Sequence, residues 1–114
     1  MSFYESVIIL SQDLSLQKVN DILREVYAAV EDLGARPIKK EYWGLRKLAY
    51  NVKKNESGHY LMIAMELDDK SVLNKLDYHY RMHNDVIKYM TVKVPSVEEG
   101  NSIIMQAEQQ TGEA

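Results

Sequence analysis

"EYWGLRKLAYNVKKNESGHYLMIAMEL", residues 41–67, decides the fold. Its last third has the clearest pattern. In "HYLMIAMEL", residues 59–67, Leu61, Ile63, Met65 and Leu67 alternate with Tyr60, Met62, Ala64 and Glu66. That is the two-residue period of a strand with two distinct faces. The preceding "KKNESG" has the composition of a turn. Upstream, Ile38, Tyr42, Trp43, Leu48, Tyr50 and Val52 favour extended chain, and Gly44 among them predicts a bulge or bend. The stretch therefore predicts one long kinked strand over 36–52 that turns back into a strand over 59–67.

Working outward, "FYESVIIL" is rich in β-branched and aromatic residues and predicts a first strand over 3–10. Val19, Ile22, Leu23, Val26, Tyr27, Val30 and Leu33 recur at helical spacing and form one apolar stripe. Ser15 can cap that helix and Gly34 can close it, which places it at about 16–33. After 67, Asp68 and Asp69 suit a helix N-terminus, and Val72, Leu73, Leu76 and Tyr80 form a second stripe. "NDVIKYMTVKV" predicts a turn and a last strand over 86–94, ended by Pro95.

The order β-α-β-β-α-β predicts an α+β, ferredoxin-like domain over 1–95: a four-stranded antiparallel sheet with both helices on one face. Residues 96–114 read as an acidic, flexible tail with a small apolar cluster at Ile103, Ile104 and Met105. The uncovered sheet face is expected to carry some of Tyr4, Ser6, Ile8, Tyr60, Met62, Tyr89, Thr91 and Lys93. An open face bearing tyrosines suits docking.

Charge is unevenly placed. The 114 residues carry a net charge of −3, yet residues 36–54 hold seven cations against one acid. Such a local excess attracts a polyanion whatever the global sign. Lysines on an edge strand also guard against strand-to-strand aggregation, so charge alone leaves both readings open. There are no cysteines, which excludes disulfides, thiolate metal sites and a cysteine nucleophile. The first residues do not have the pattern of a signal peptide and no apolar run reaches membrane-spanning length, so a soluble cytoplasmic domain is expected.

Catalytic patterns are missing. The glycines stand singly, so no phosphate loop is present. His79 and His83 are four apart and could share a helix face toward zinc, but "HYRMH" lacks the glutamate of the metalloprotease motif. The loop "SQDLSLQ" after the first strand lacks the arginine and glycine that an acylphosphatase would use. An RNA-recognition motif has the same element order, but Met62 stands where its second stacking ring is needed. No cofactor or metal is expected. A regulatory or protein-interaction domain that dimerises through its open sheet face is the alternative.

The string Trp43-Gly44, Arg46, Leu48-Ala49-Tyr50, a lysine turn, and Gly58 and Tyr60 entering the third strand resembles the S-six family of bacterial small-subunit (30S) ribosomal proteins. Tyr4-Glu5 fits it as well, as do Arg81, Asn84, Val86 and Met90. Asn51 departs from it, where proline is common, and so does His83. The resemblance spans residues 3–94 and implies a structural, non-enzymatic ribosomal role in translation. It implies binding to the central domain of 16S rRNA together with a basic protein of the S-eighteen family. Under this reading Arg46, Lys47, Lys53 and Lys54 neutralise phosphates, and Arg81 and Lys88 make a second basic contact. Trp43, Leu48 and Tyr50 would anchor the strand to the core, with Trp43 at least partly buried. Tyr60, Met62, Tyr89 and Lys93 are the candidate partner contacts.

Overall fold

The computed structural model describes residues 2–96, so the expected tail with Ile103, Ile104 and Met105 lies outside the described residues. The elements run β1 (Ser2–Ser11), α1 (Leu16–Asp32), β2 (Arg36–Val52), β3 (Asn55–Leu67), α2 (Ser71–Met82) and β4 (Val86–Val94). The sheet order is β2-β3-β1-β4, with every pair antiparallel. This is the predicted ferredoxin-like arrangement.

Local chemistry explains the helix ends. The Ser15 hydroxyl accepts from the Lys18 N–H at 3.2 Å, satisfying one otherwise orphan donor of α1. At α2, Asp69 Oδ1 accepts from the Ser71 N–H at 2.9 Å. This bond and one to the Ser71 hydroxyl hold the Asp69 carboxyl below its usual range.

Val19, Ile22, Leu23, Val26 and Val30 of α1 and Val72, Leu76 and Tyr80 of α2 pack on Tyr4, Ile8, Leu10, Leu61, Ile63 and Met65 of the sheet. Burial pushes the Tyr80 hydroxyl up to about 12.

The core corrects the expected sheet faces. Tyr4 and Ile8 belong to the helix-side core, and Tyr89 packs against it with its ring 5.7 Å from that of Tyr80. Ser6 hydrogen-bonds Thr91 at 2.7 Å, and Lys93 pairs with Tyr4, so these three also share the helix-side face. Two physical reasons account for the error. First, Tyr4 to Leu10 of the central strand β1 are all buried, the polar Glu5 and Ser6 included, so both phases of the strand are covered and its sequence shows no alternation. Second, β4 carries a bulge: Leu10 pairs with Val86 but Ile9 pairs with Lys88. One extra residue moves every later side chain to the opposite face. Tyr60 and Met62 do lie on the face away from the helices, where Met62 clusters with Val7, Trp43 and Ala64.

Candidate RNA and protein interface

The hairpin of β2 and β3 is tighter than its composition predicts. Strand β3 starts at Asn55, so the turn is only Lys53 and Lys54, with φ of 46° and 67°. A two-residue turn with both φ positive matches the right-handed twist of the strands. It normally uses Asn-Gly, because the left-handed region is costly for other side chains. The buried Asn55 side chain pins this turn. Its Oδ1 accepts from the Gln12 N–H at 2.9 Å, and its Nδ2 donates to the carbonyls of Val52 at 3.2 Å and Lys53 at 3.1 Å.

Behind the turn the pairing is irregular. Lys47 pairs with Ser57 and Val52 with Asn55, so residues 48–51 of β2 face Glu56 alone. This wide bulge turns Leu48 inward onto Ile9 and Ile87. It also sends Tyr50 outward, 77% exposed, which corrects the expectation that Tyr50 anchors the strand. Gly58 permits the close approach. A Cβ there would lie 2.3 Å from Ile9 Cγ2. Nearer the middle of β2, Gly44 adopts φ 99° at a second irregularity between Tyr42 and Gly44.

The face away from the helices has its own small core. Trp43 is 8% exposed, and its Nε1 donates to Glu41 Oε1 at 2.8 Å. The Arg46 guanidinium lies 5.7 Å from the centroid of the Trp43 ring and 5.8 Å from that of the Tyr60 ring. Its Nε donates to the Trp43 carbonyl at 3.3 Å. Arg46 is thus held against two rings by cation–π attraction rather than extended into solvent. Met62 is fully buried beneath this layer, which makes it a support and not a surface contact. Sequence reasoning missed Met90, which is 48% exposed and pairs with Val7. The β4 bulge hid its face.

The predicted basic residues divide into groups. Arg46 and Lys47 pair with Gly58 and Ser57, next to the Lys53–Lys54 turn. Lys88 is exposed on β4 and pairs with Ile9, which pairs in turn with Tyr60. All five lie toward one end of the sheet. Arg81 sits in the helix layer, 3.5 Å from Asp77 and 5.6 Å from the Tyr78 ring centroid, so its nearest charge partner is on its own helix. Tyr89 and Lys93 fall on the helix-side face, as described above. The opposite end of the sheet is acidic: a groove there is lined by Glu31, Glu66, Asp68 and Asp69 with Arg36, whose guanidinium pairs with Glu66.

His83 Nε2 lies 3.4 Å from Glu25, and its Nδ1 accepts from the Asp85 N–H at 3.1 Å. With both nitrogens engaged, the His79–His83 pair does not form a metal cradle. Among the described residues no group of three or more histidines and carboxylates is placed to hold a metal ion, and no helix is long and apolar enough to cross a membrane.

The family model described as ribosomal protein S6 matches residues 3–93. The chain belongs to the ribosomal protein S6 family. The small ribosomal subunit protein bS6 of Paramagnetospirillum magneticum is 37% identical over 107 residues, covering 94% of this chain and 74% of its own length. That of Rickettsia prowazekii is 36% identical over 106 residues, covering 93% and 87%. The 30S ribosomal protein S6 of Thermotoga maritima matches in fold with a TM-score of 0.75, over 99% of this chain and 98% of that one, at 22% identity. The S6 family is a structural, non-enzymatic component of the small ribosomal subunit, in keeping with the resemblance carried by the Trp43–Tyr60 segment.

Proposed function

We propose that this S6-family chain binds the central domain of 16S rRNA together with a basic S-eighteen-family protein, as part of the small ribosomal subunit in the cytoplasm. One observation carries the RNA half of the reading: Lys53 and Lys54 occupy left-handed backbone at the tip of a hairpin that also bears Lys47. A non-glycine residue in that region costs about 1–3 kcal/mol, and such cost concentrates at functional positions. Asparagine and glycine would make the same turn with less strain. The lysines supply two charges at the most protruding point of the hairpin, where phosphate contacts would position the protein without reading sequence. Arg46 contributes its charge from a fixed place against Trp43 and Tyr60.

The protein half of the reading rests on the charge of −3 and on the acidic end of the sheet. A basic partner suits both, and its association would be steered electrostatically and slowed by salt. Tyr60 and the exposed Met90 are the large apolar groups that the open face offers such a partner. A specific pair should bury at least about 1,000 Å².

The test is a titration of the purified chain against the central-domain RNA at fixed salt, alone and then with the partner. Weak binding alone and strong binding by the mixture are expected. Equal affinity in the two titrations would remove the partner from the mechanism, and no binding in either would remove the RNA.

A further inference from the structure

We propose that Tyr50 is a stacking platform for an unpaired base of the bound RNA, an inference that rests on the RNA reading above. Tyr50 is 77% exposed, more than any other large apolar side chain among the described residues. No hydrogen bond, ion pair or ring contact engages its side chain there. Single exposed rings are common on protein surfaces. Three features set this one apart.

The first is how it is exposed. The four-against-one mismatch at residues 48–51 turns Leu48 in and Tyr50 out. Bulges re-aim side chains in this way, and they recur beside functional sites. The second is its charge setting. From Arg46 to Lys54 the chain carries four cations and no acid, against the single carboxylate of Glu56 across the hairpin. The third is the lack of an apolar surround. Its exposed neighbours along the chain, Lys47, Ala49, Asn51, Lys53 and Lys54, are polar or charged apart from Ala49, and the apolar Leu48 and Val52 on either side are buried or half-buried. A protein–protein hot spot wants a desolvated apolar pocket around its aromatic anchor. An isolated ring among cations is instead the single-stranded nucleic-acid pattern, in which the backbone is held electrostatically and a base lies on a π-face. Duplex bases are already stacked, so the target is a base in a loop, bulge or junction.

The experiment uses the full chain with its basic partner and the central-domain fragment of 16S rRNA as the probe. Wild type is compared with Tyr50→Phe, Tyr50→Leu and Tyr50→Ala. Removing the ring should weaken RNA binding roughly 5- to 150-fold, the range expected for one lost stacked base. Tyr50→Phe should bind like wild type, because a phenyl ring keeps the π-face. Tyr50→Leu should behave like Tyr50→Ala, because it is apolar without one. The dependence of binding on salt should keep its slope in all four proteins, since no phosphate contact is lost. Thermal melts should coincide.

Association with the partner in the absence of RNA should also be unchanged. A Tyr50→Ala protein that binds RNA within twofold of wild type overturns the proposal while leaving the RNA reading intact. So does one whose association with the protein partner is weakened to the same degree, because the ring would then belong to that contact. Failure of wild type itself to bind the RNA removes both readings together.

Discussion

Replacing Gly58 with alanine should displace the cationic hairpin without removing any charge. The added Cβ would stand 2.3 Å from Ile9 Cγ2, 3.1 Å from the Leu10 carbonyl oxygen and 3.6 Å from Ile87 Cδ1. Carbon atoms in contact prefer about 3.5–4.0 Å, so the Ile9 methyl must retreat by more than about 1 Å. It has little room. Isoleucine is stiff at χ1, and Ile9 is 7% exposed and packed with Leu48 and Ile87. The Leu10 carbonyl is backbone and blocks the other side. Overpacking of this kind costs about 1–3 kcal/mol, and the double obstruction places Gly58→Ala in the upper half of that range. Gly58 is not among the glycines with positive φ, so no backbone strain is added. The loss of unfolded-chain entropy returns about 0.4–1 kcal/mol. The net expectation is a destabilisation of roughly 1–3 kcal/mol, or a melting temperature lower by roughly 5–20 °C for a domain of this size.

The assay is urea and thermal unfolding of four proteins: wild type, Gly58→Ala, Ile9→Ala and the double variant. Ile9→Ala alone leaves a cavity and should cost about 2–5 kcal/mol. It also removes the methyl that the new Cβ would strike. In that background Gly58→Ala should therefore cost at least about 1 kcal/mol less, a coupling that a double-mutant cycle measures directly. An equal cost in both backgrounds, or a Gly58→Ala protein as stable as wild type, would refute the reasoning from close approach. RNA affinity should fall in Gly58→Ala because Lys47, Lys53 and Lys54 ride on the displaced hairpin.

Other outcomes follow from the same geometry. Arg46→Ala with Lys47→Ala should weaken RNA assembly and flatten its salt slope by about 1–2, and an unchanged slope would confine both residues to structural roles. Lys53→Asn with Lys54→Gly should raise the melting temperature by relieving left-handed strain while weakening RNA binding; a variant that gains stability and keeps full affinity would show that the turn lysines make no RNA contact. Trp43 should emit at the shorter wavelengths of a buried indole, and Trp43→Ala should cost about 3–5 kcal/mol in unfolding experiments. Water-like emission from the native protein would contradict its 8% exposure. For Asp69, the depressed carboxyl means that the stability from its bonds to Ser71 is present above the unfolded value and lost as pH falls through the lower folded one. An NMR titration should find its midpoint below 3.8.

Much of this protein was legible in one dimension. The alternation of Leu61, Ile63, Met65 and Leu67, the stripe from Val19 to Val30 and the cap at Ser15 are local patterns, and local patterns set element type and order. They located β2 at 36–52 and placed its kink at Gly44. The Trp43–Tyr60 string carried the family. The tertiary structure alone decided which way side chains point where the pattern is silent. Strand β1 mixes polar and apolar residues on both phases without alternation, so only its position between β3 and β4 settles that Tyr4, Ser6 and Ile8 face the helices. The bulge between Val86 and Lys88 carries no turn residue, yet it reverses the face of Tyr89, Thr91 and Lys93. The mismatch at 48–51 likewise buries Leu48 and exposes Tyr50, although both are apolar residues of one strand. Register is a property of two strands together, so one extra residue in one of them reverses which side faces the core.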